Sequence, residues 1–276
     1  MVLAAKSTDP NDEIRRVESV MGTIVIVAVR APLVADNVLD RFFDRLRAVD
    51  AQFSPYRDDS EVSRLARGEI NELDTSDDLR HVLAACDHLT EVTGGAFDER
   101  RHRTDGRLDP SGYVKGWAIE EAAWLLDTAG ARNYWVSGGG DIVARGEAAP
   151  GQPWRVGIRH PDRVDRVAAV MAVSDRAVAT SGNYERGEHI LDPRGALDGV
   201  GVGADAARRE GASGLRSLTV VGPRLAFTDA YATALFVMGL DGLGWLASHP
   251  EYEAYAITAD DRTVWTPGME RYLVRD

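Results

Sequence analysis

Asp229 and Thr233 stand four residues apart in the run Thr228–Asp229–Ala230–Tyr231–Ala232–Thr233. On a helix that spacing sends both oxygens from one face. Two hard oxygens side by side suit Mg²⁺, which takes oxygen ligands and keeps substrate phosphates in its shell. The same Asp also reads as an N-terminal residue that merely stabilises the helix dipole. Lys115 offers a positive charge within Asp109–Pro110–Ser111–Gly112–Tyr113–Val114–Lys115–Gly116, ahead of a helical pattern. Two glycines there let backbone N–H groups approach an anion, and a Lys in a first turn opposes the dipole and so calls for another purpose. An ordinary loop is the alternative. Ser137–Gly138–Gly139–Gly140–Asp141 lies between two strand patterns, either a place where a flat ligand comes close or a plain hairpin turn. Thr180–Ser181–Gly182–Asn183–Tyr184–Glu185–Arg186 ends a strand pattern, and His189–Ile190–Leu191–Asp192–Pro193–Arg194 follows it. A lone His is most often structural. This one stands among polar partners in an alternating run, where a general base or a hydrogen-bonding role fits.

These residues need elements to carry them. Residues 14–30 end in a β-branched run and read as one long or bent strand. Apolar residues every three or four positions from Val34 to Phe53 predict an amphipathic helix. A short helix is expected at Ser60–Ala66, and Ser76 as N-cap opens another that stops near Gly94–Gly95. The spacing predicts further helices at 115–129, 228–238 and 241–248. Strands are expected at 133–137, 141–145, 154–158, 167–173, 177–180, 188–191, 216–221, 254–258 and 262–266. Residues 98–107 are dense in Arg and read as a solvated loop, and 195–214 read as a surface loop. Helices mixed with many short strands, without a strict β–α–β alternation, imply an α+β fold with mixed or antiparallel sheets. The expected organisation is a polar tail over residues 1–13 and one domain over 14–276, or two closely packed subdomains with a cleft between them.

Composition narrows the function. The 276 residues carry 32 Lys and Arg against 44 Asp and Glu, a formal charge of −12. Such a balance argues against a general nucleic-acid binder, and it means that a polyanionic ligand must bring a cation or meet a local cluster of donors. Cys86 is the single cysteine, so no internal disulfide can form. The first twenty residues hold no apolar h-region and no lipoprotein cysteine, and a cytoplasmic protein is expected. The glycines at 138–140 fail as a dinucleotide fingerprint because no helix pattern follows them. HExxH, CxxC, GxSxG and Walker A patterns are absent from the sequence.

Taken in order, the four clusters resemble the FAD:protein FMN transferase family, the ApbE-type flavin transferases. The resemblance starts at Met21–Gly22–Thr23 and takes in Phe53–Ser54–Pro55–Tyr56, Ser60–Glu61–Val62–Ser63–Arg64–Leu65 and Gly95–Ala96–Phe97–Asp98. It ends at Asp229–Ala230–Tyr231–Ala232–Thr233. The resemblance implies an α+β fold that holds FAD in a cleft. It also implies Mg²⁺-assisted cleavage of the FAD pyrophosphate, with FMN passed to a Ser or Thr hydroxyl of a target protein and AMP released. By the same resemblance Met21, Tyr56, Ala96, Phe97, Asp98, Asp109, Lys115 and Ile190 are flavin-site positions. Gly139, Gly140, Asp141, Thr180 and Ser181 join the cofactor-binding set. Asp229 and Thr233 are implied side-chain Mg²⁺ ligands, the carbonyl near Gly112 a backbone ligand, and His189 is similar to the histidine of the transfer step.

Two departures from the family pattern stand out. Only the 10 residues Glu99–Leu108 separate Asp98 from Asp109, where the usual member has a much longer segment. Gly195 follows Arg194 where Thr is usual. The expected partners are FAD and an acceptor protein bearing Ser or Thr, with no nucleic acid and no membrane anchor. Two other activities fit the same residues: a Mg²⁺-dependent FAD pyrophosphatase that uses water as acceptor, and a flavin-binding protein without turnover.

Overall fold

A computed structural model describes residues 13–30, 37–100, 108–163, 165–182 and 214–275 of the chain. The expected single strand over 14–30 is a hairpin instead: β1 (Glu13–Val20) pairs antiparallel with β2 (Thr23–Arg30) through the turn Met21–Gly22. Both turn residues have positive φ, 56° and 68°, which matches the twist of the flanking strands. A methionine in that region is uncommon, which is why the β-branched sequence reads straight through the turn.

β3 (Tyr134–Gly138), β4 (Asp141–Arg145), β7 (Arg176–Gly182), β8 (Leu215–Gly222), β9 (Glu253–Thr258) and β10 (Thr263–Trp265) extend the hairpin. Together they form an eight-stranded sheet in the order β1-β2-β3-β4-β7-β8-β9-β10, with every recorded pairing antiparallel. β5 (Trp154–Arg159) and β6 (Val167–Val173) leave this sheet as a separate ribbon. Along β5 the alternation is strict: Trp154, Val156 and Ile158 are buried and Arg155, Gly157 and Arg159 exposed. The buried set packs with Met171, Val178, Val221, Tyr255 and Ile257 in a core of its own on one face of the large sheet.

The other face carries the helices and a larger core. They are α1 (Val38–Phe53), α2 (Glu61–Ala66), α3 (Asp77–Val92), α4 (Ser111–Thr128), α5 (Leu225–Met238) and α6 (Leu240–Trp245). α1 and α3 have the single apolar stripe that their spacing predicts. Ser76 caps α3 as expected, accepting from the Leu79 amide at 3.1 Å, while its own amide donates to Glu61 at 2.6 Å. α4 is different, with buried residues all around it, because it packs against α1, α3, α5 and β3. α4 begins four residues before the expected Lys115, and α5 three before the expected Thr228. No helix among the described residues is long and apolar enough to cross a membrane. The strand expected at 188–191 lies outside the described residues.

Candidate active site

Three separate elements bring charge to one place. Gly139 and Gly140, with φ of 61° and 94°, form the two-residue turn between β3 and β4, so the hairpin reading of this cluster holds. The turn sets Asp141 as the first residue of β4, opposite the end of β7, where its Oδ1 accepts from the Thr180 amide at 3.3 Å. Asp229 comes from the start of α5 and Lys115 from the second turn of α4. Lys115 Nζ lies 2.5 Å from Asp141 Oδ2 and 3.3 Å from Asp229 Oδ2. The Asp141 and Asp229 side chains are only 2% and 7% exposed and the Lys115 side chain 18%.

The arithmetic of this cluster decides its chemistry. Among the described residues, two buried carboxylates meet around one ammonium, where little water can screen them. Such a site favours a further cation. Among the described residues the neighbouring donors are oxygen: Thr233 Oγ1 stands 3.3 Å from Ser181 Oγ, one helical turn past Asp229. Carboxylates and hydroxyls of this kind, the ligands found among the described residues, fit Mg²⁺ better than a soft metal. Asp229 and Thr233 would hold it.

The other sequence-derived positions fall into separate groups. Phe97 is fully buried, and its ring lies so close to Gly112 that a Cβ there would sit 3.1 Å from it. Asp98 Oδ1 accepts from the Arg100 amide at 2.9 Å. Asp109 donates its amide to the Glu99 carbonyl at 2.8 Å and accepts from the Ser111 amide at 3.1 Å. Together with buried Ala96 they form the junction between α3 and α4. Met21 occupies the strained first hairpin turn and packs on the large core. Tyr56 is 85% exposed on the turn that follows α1. Thr180 does not share a face with Ser181. Strand alternation turns it to the other side of the sheet, where its hydroxyl meets Thr219 at 2.8 Å. His189 and Ile190 lie outside the described residues.

One local reading changes. Gly112 and Gly116 are not a turn ahead of the helix but residues of α4 itself. A Cβ at Gly116 would lie 2.8 Å from Ala226 Cα and from the Leu225 carbonyl, so this glycine lets α4 and α5 touch backbone to backbone. It is a packing residue, not part of an anion cradle.

The sequence profile of the ApbE family matches residues 21–100 and 99–256. The chain belongs to the ApbE family. A Haemophilus influenzae FAD:protein FMN transferase is 26% identical over 277 residues, covering 78% of this chain and 77% of that protein. A Salmonella typhimurium FAD:protein FMN transferase is 29% identical, and the match covers 61% of this chain but only about half of that protein, 48%. Among solved structures, the flavin transferase ApbE from Vibrio cholerae superposes with a TM-score of 0.80 at 23% identity, over 95% of this chain and 99% of that one. The ApbE fold of this chain is therefore established, with the antiparallel sheet and packed helices described above.

Two acids outside the cluster escape sequence reasoning. Glu120, one turn past Gly116 on α4, accepts from the Leu225 amide at 2.6 Å and faces the Ala226 amide at 3.4 Å. Its carboxylate thereby caps the start of α5 from another helix, and burial pushes its pKa up. Glu99 is 2% exposed beside Thr90 and Arg100, and burial raises its pKa as well. Neither is visible without knowing which helix ends meet.

Proposed function

We propose that this chain transfers FMN from FAD to a Ser or Thr hydroxyl of a target protein and releases AMP, with Mg²⁺ as the assisting ion. The observation that carries this reading is the buried Lys115–Asp141–Asp229 cluster, two carboxylates on one ammonium beside the Thr233 hydroxyl. Its support from outside the chain is that relatives covering most of its length are named FAD:protein FMN transferase.

In this reading Asp229 and Thr233 hold the ion, with a backbone carbonyl near Gly112 as a third ligand. Bound there, Mg²⁺ would neutralise charge on the pyrophosphate. Lys115 supplies the remaining positive charge toward phosphate, which an acidic chain cannot supply through net charge. The acceptor hydroxyl oxygen forms a bond to the FMN-side phosphorus while the bond to the AMP oxygen breaks. His189 takes the hydroxyl proton, and AMP leaves with the bonding electron pair. Met21, Tyr56, Ala96, Phe97, Asp98, Asp109 and Ile190 are the flavin-side positions of the same proposal.

The test mixes purified protein with FAD, Mg²⁺ and candidate acceptor proteins and follows flavin fluorescence in a denaturing gel, with AMP measured alongside. A fluorescent acceptor band together with AMP is the expected result. Free FMN and AMP without a band would make the chain a pyrophosphatase. Bound FAD with neither product would make it a flavin-binding protein.

A further inference from the structure

We infer that Gly116 and Glu120 act together as a clamp between α4 and α5 that sets the position of Asp229 and Thr233, and so tunes the affinity of the site for its divalent ion. The inference rests on the metal reading above. Neither residue reaches the site, so both are positioning residues. Gly116 and Glu120 are four apart on α4 and therefore share one face. Both act on the same two residues of α5. Gly116 admits Leu225 and Ala226 to within 2.8 Å of where its Cβ would stand, and Glu120 accepts from the Leu225 amide at 2.6 Å. Arg224, the N-cap residue of α5, lies 3.7 Å from the same carboxylate.

Geometry connects the clamp to the metal site. Lys115 is the neighbour of Gly116, and Asp229 lies one helical turn beyond Leu225. The 3.3 Å separation of Lys115 Nζ from Asp229 Oδ2 therefore depends on how closely the two helices sit and on whether the first turn of α5 is intact. α5 has no side-chain cap from its own N-cap residue. Without Glu120 the first amides of the helix lose their acceptor, and the first turn can open. Asp229 moves with that turn.

The experiment measures Mn²⁺ binding by electron paramagnetic resonance and FAD binding, without metal, by flavin fluorescence. It uses wild type, Glu120→Ala, Glu120→Gln and Asp229→Ala. Hydrogen exchange at the Leu225 and Ala226 amides reports on the first turn. Glu120→Ala is expected to weaken Mn²⁺ about tenfold, equivalent to roughly 1.4 kcal/mol, with faster exchange at both amides and unchanged FAD affinity. Glu120→Gln keeps one acceptor oxygen and should recover most of the loss, within about threefold of wild type. In turnover, KM for Mg²⁺ rises while kcat at saturating Mg²⁺ stays within about twofold. Should Glu120→Ala not fold, Glu120→Gln with Gly116→Ala carries the test, and a Gly116→Ala protein must then show the weakened Mn²⁺ binding. Wild-type Mn²⁺ affinity in Glu120→Ala, or in Gly116→Ala where that variant stands in for it, at any exchange rate and with Asp229→Ala unable to bind Mn²⁺, overturns the clamp and leaves the metal reading standing. Normal Mn²⁺ binding by Asp229→Ala overturns both.

Discussion

Two clusters of acids in this fold face opposite conditions. Asp141 and Asp229 meet around Lys115 in a buried place. His160, Asp162 and Asp261 meet near the surface, where Asp162 and Asp261 are more than two-fifths exposed. The surface group also has three carboxylate or imidazole ligand atoms within 4.8 Å, which by ligand count alone makes it the better metal site. Its charges are already met: Arg216 pairs with Asp162, and Arg163 with Asp261 at 3.2 Å. Water screens what is left. The buried group has the same number of carboxylates and, among the described residues, they meet around the single ammonium of Lys115 with little solvent nearby. Ligand count is therefore a poorer guide than burial, and the two clusters should respond very differently to the same kind of substitution.

The sharpest contrast comes from Asp229→Ala. It should cut FAD turnover by about 10²–10³-fold, measured as AMP release, while thermal unfolding shows a folded protein, since Lys115 keeps Asp141 as partner. Lys115→Ala should act mainly on stability. It leaves two buried carboxylates without their cation, at a cost of about 3–5 kcal/mol in denaturant unfolding that added Mg²⁺ partly restores. The same variant should lose more affinity for FAD than for riboflavin, because the missing charge faces phosphate. Equal loss for both would put Lys115 at the ring or make it purely structural.

A smaller effect is expected at Glu99, and it depends on pH. Its folded pKa lies above the ordinary 4.5, so the folded state holds the proton more tightly than the unfolded chain. The stability contributed by the protonated group is whole below pH 4.5 and is lost as pH rises through the raised value. Glu99→Gln should therefore raise Tm at pH 8 by roughly 1–3 °C and change nothing near pH 4. A gain of equal size at both pH values would show that the charge is not the cause. Asp261→Asn marks the other end of the comparison. In the exposed cluster it should shift stability by no more than about 0.5 kcal/mol and leave AMP release unchanged.

Much of this site was legible because it rests on local rules. That Asp229 and Thr233 share one helical face needed only the helical period, and the turn at Gly139–Gly140 only the preference for positive φ. The helix positions of α1 and α3 followed from a single buried stripe. What was not legible depends on which elements meet. Buried residues lie on every side of the first half of α4, so no stripe marks its start, and Gly112 and Gly116 passed for turn residues. Thr180 and Ser181 looked equivalent in sequence, but the pleat separates them. Glu120 carries no motif, and its function as a cap exists only where α4 meets the start of α5. Met21 hid a hairpin because a non-glycine residue takes the positive φ.

The proposed function places metal-assisted FMN transfer at the buried Lys115–Asp141–Asp229 cluster and the neighbouring Thr233. One titration tests it most directly: AMP release and covalent flavin on an acceptor, followed together against Mg²⁺ concentration for wild type and Asp229→Ala. Both products should appear in equal amounts in wild type, vanish with chelator, and stay near background in Asp229→Ala at any Mg²⁺ concentration. Wild-type yields of both products from Asp229→Ala, or transfer that persists in excess chelator, would contradict it.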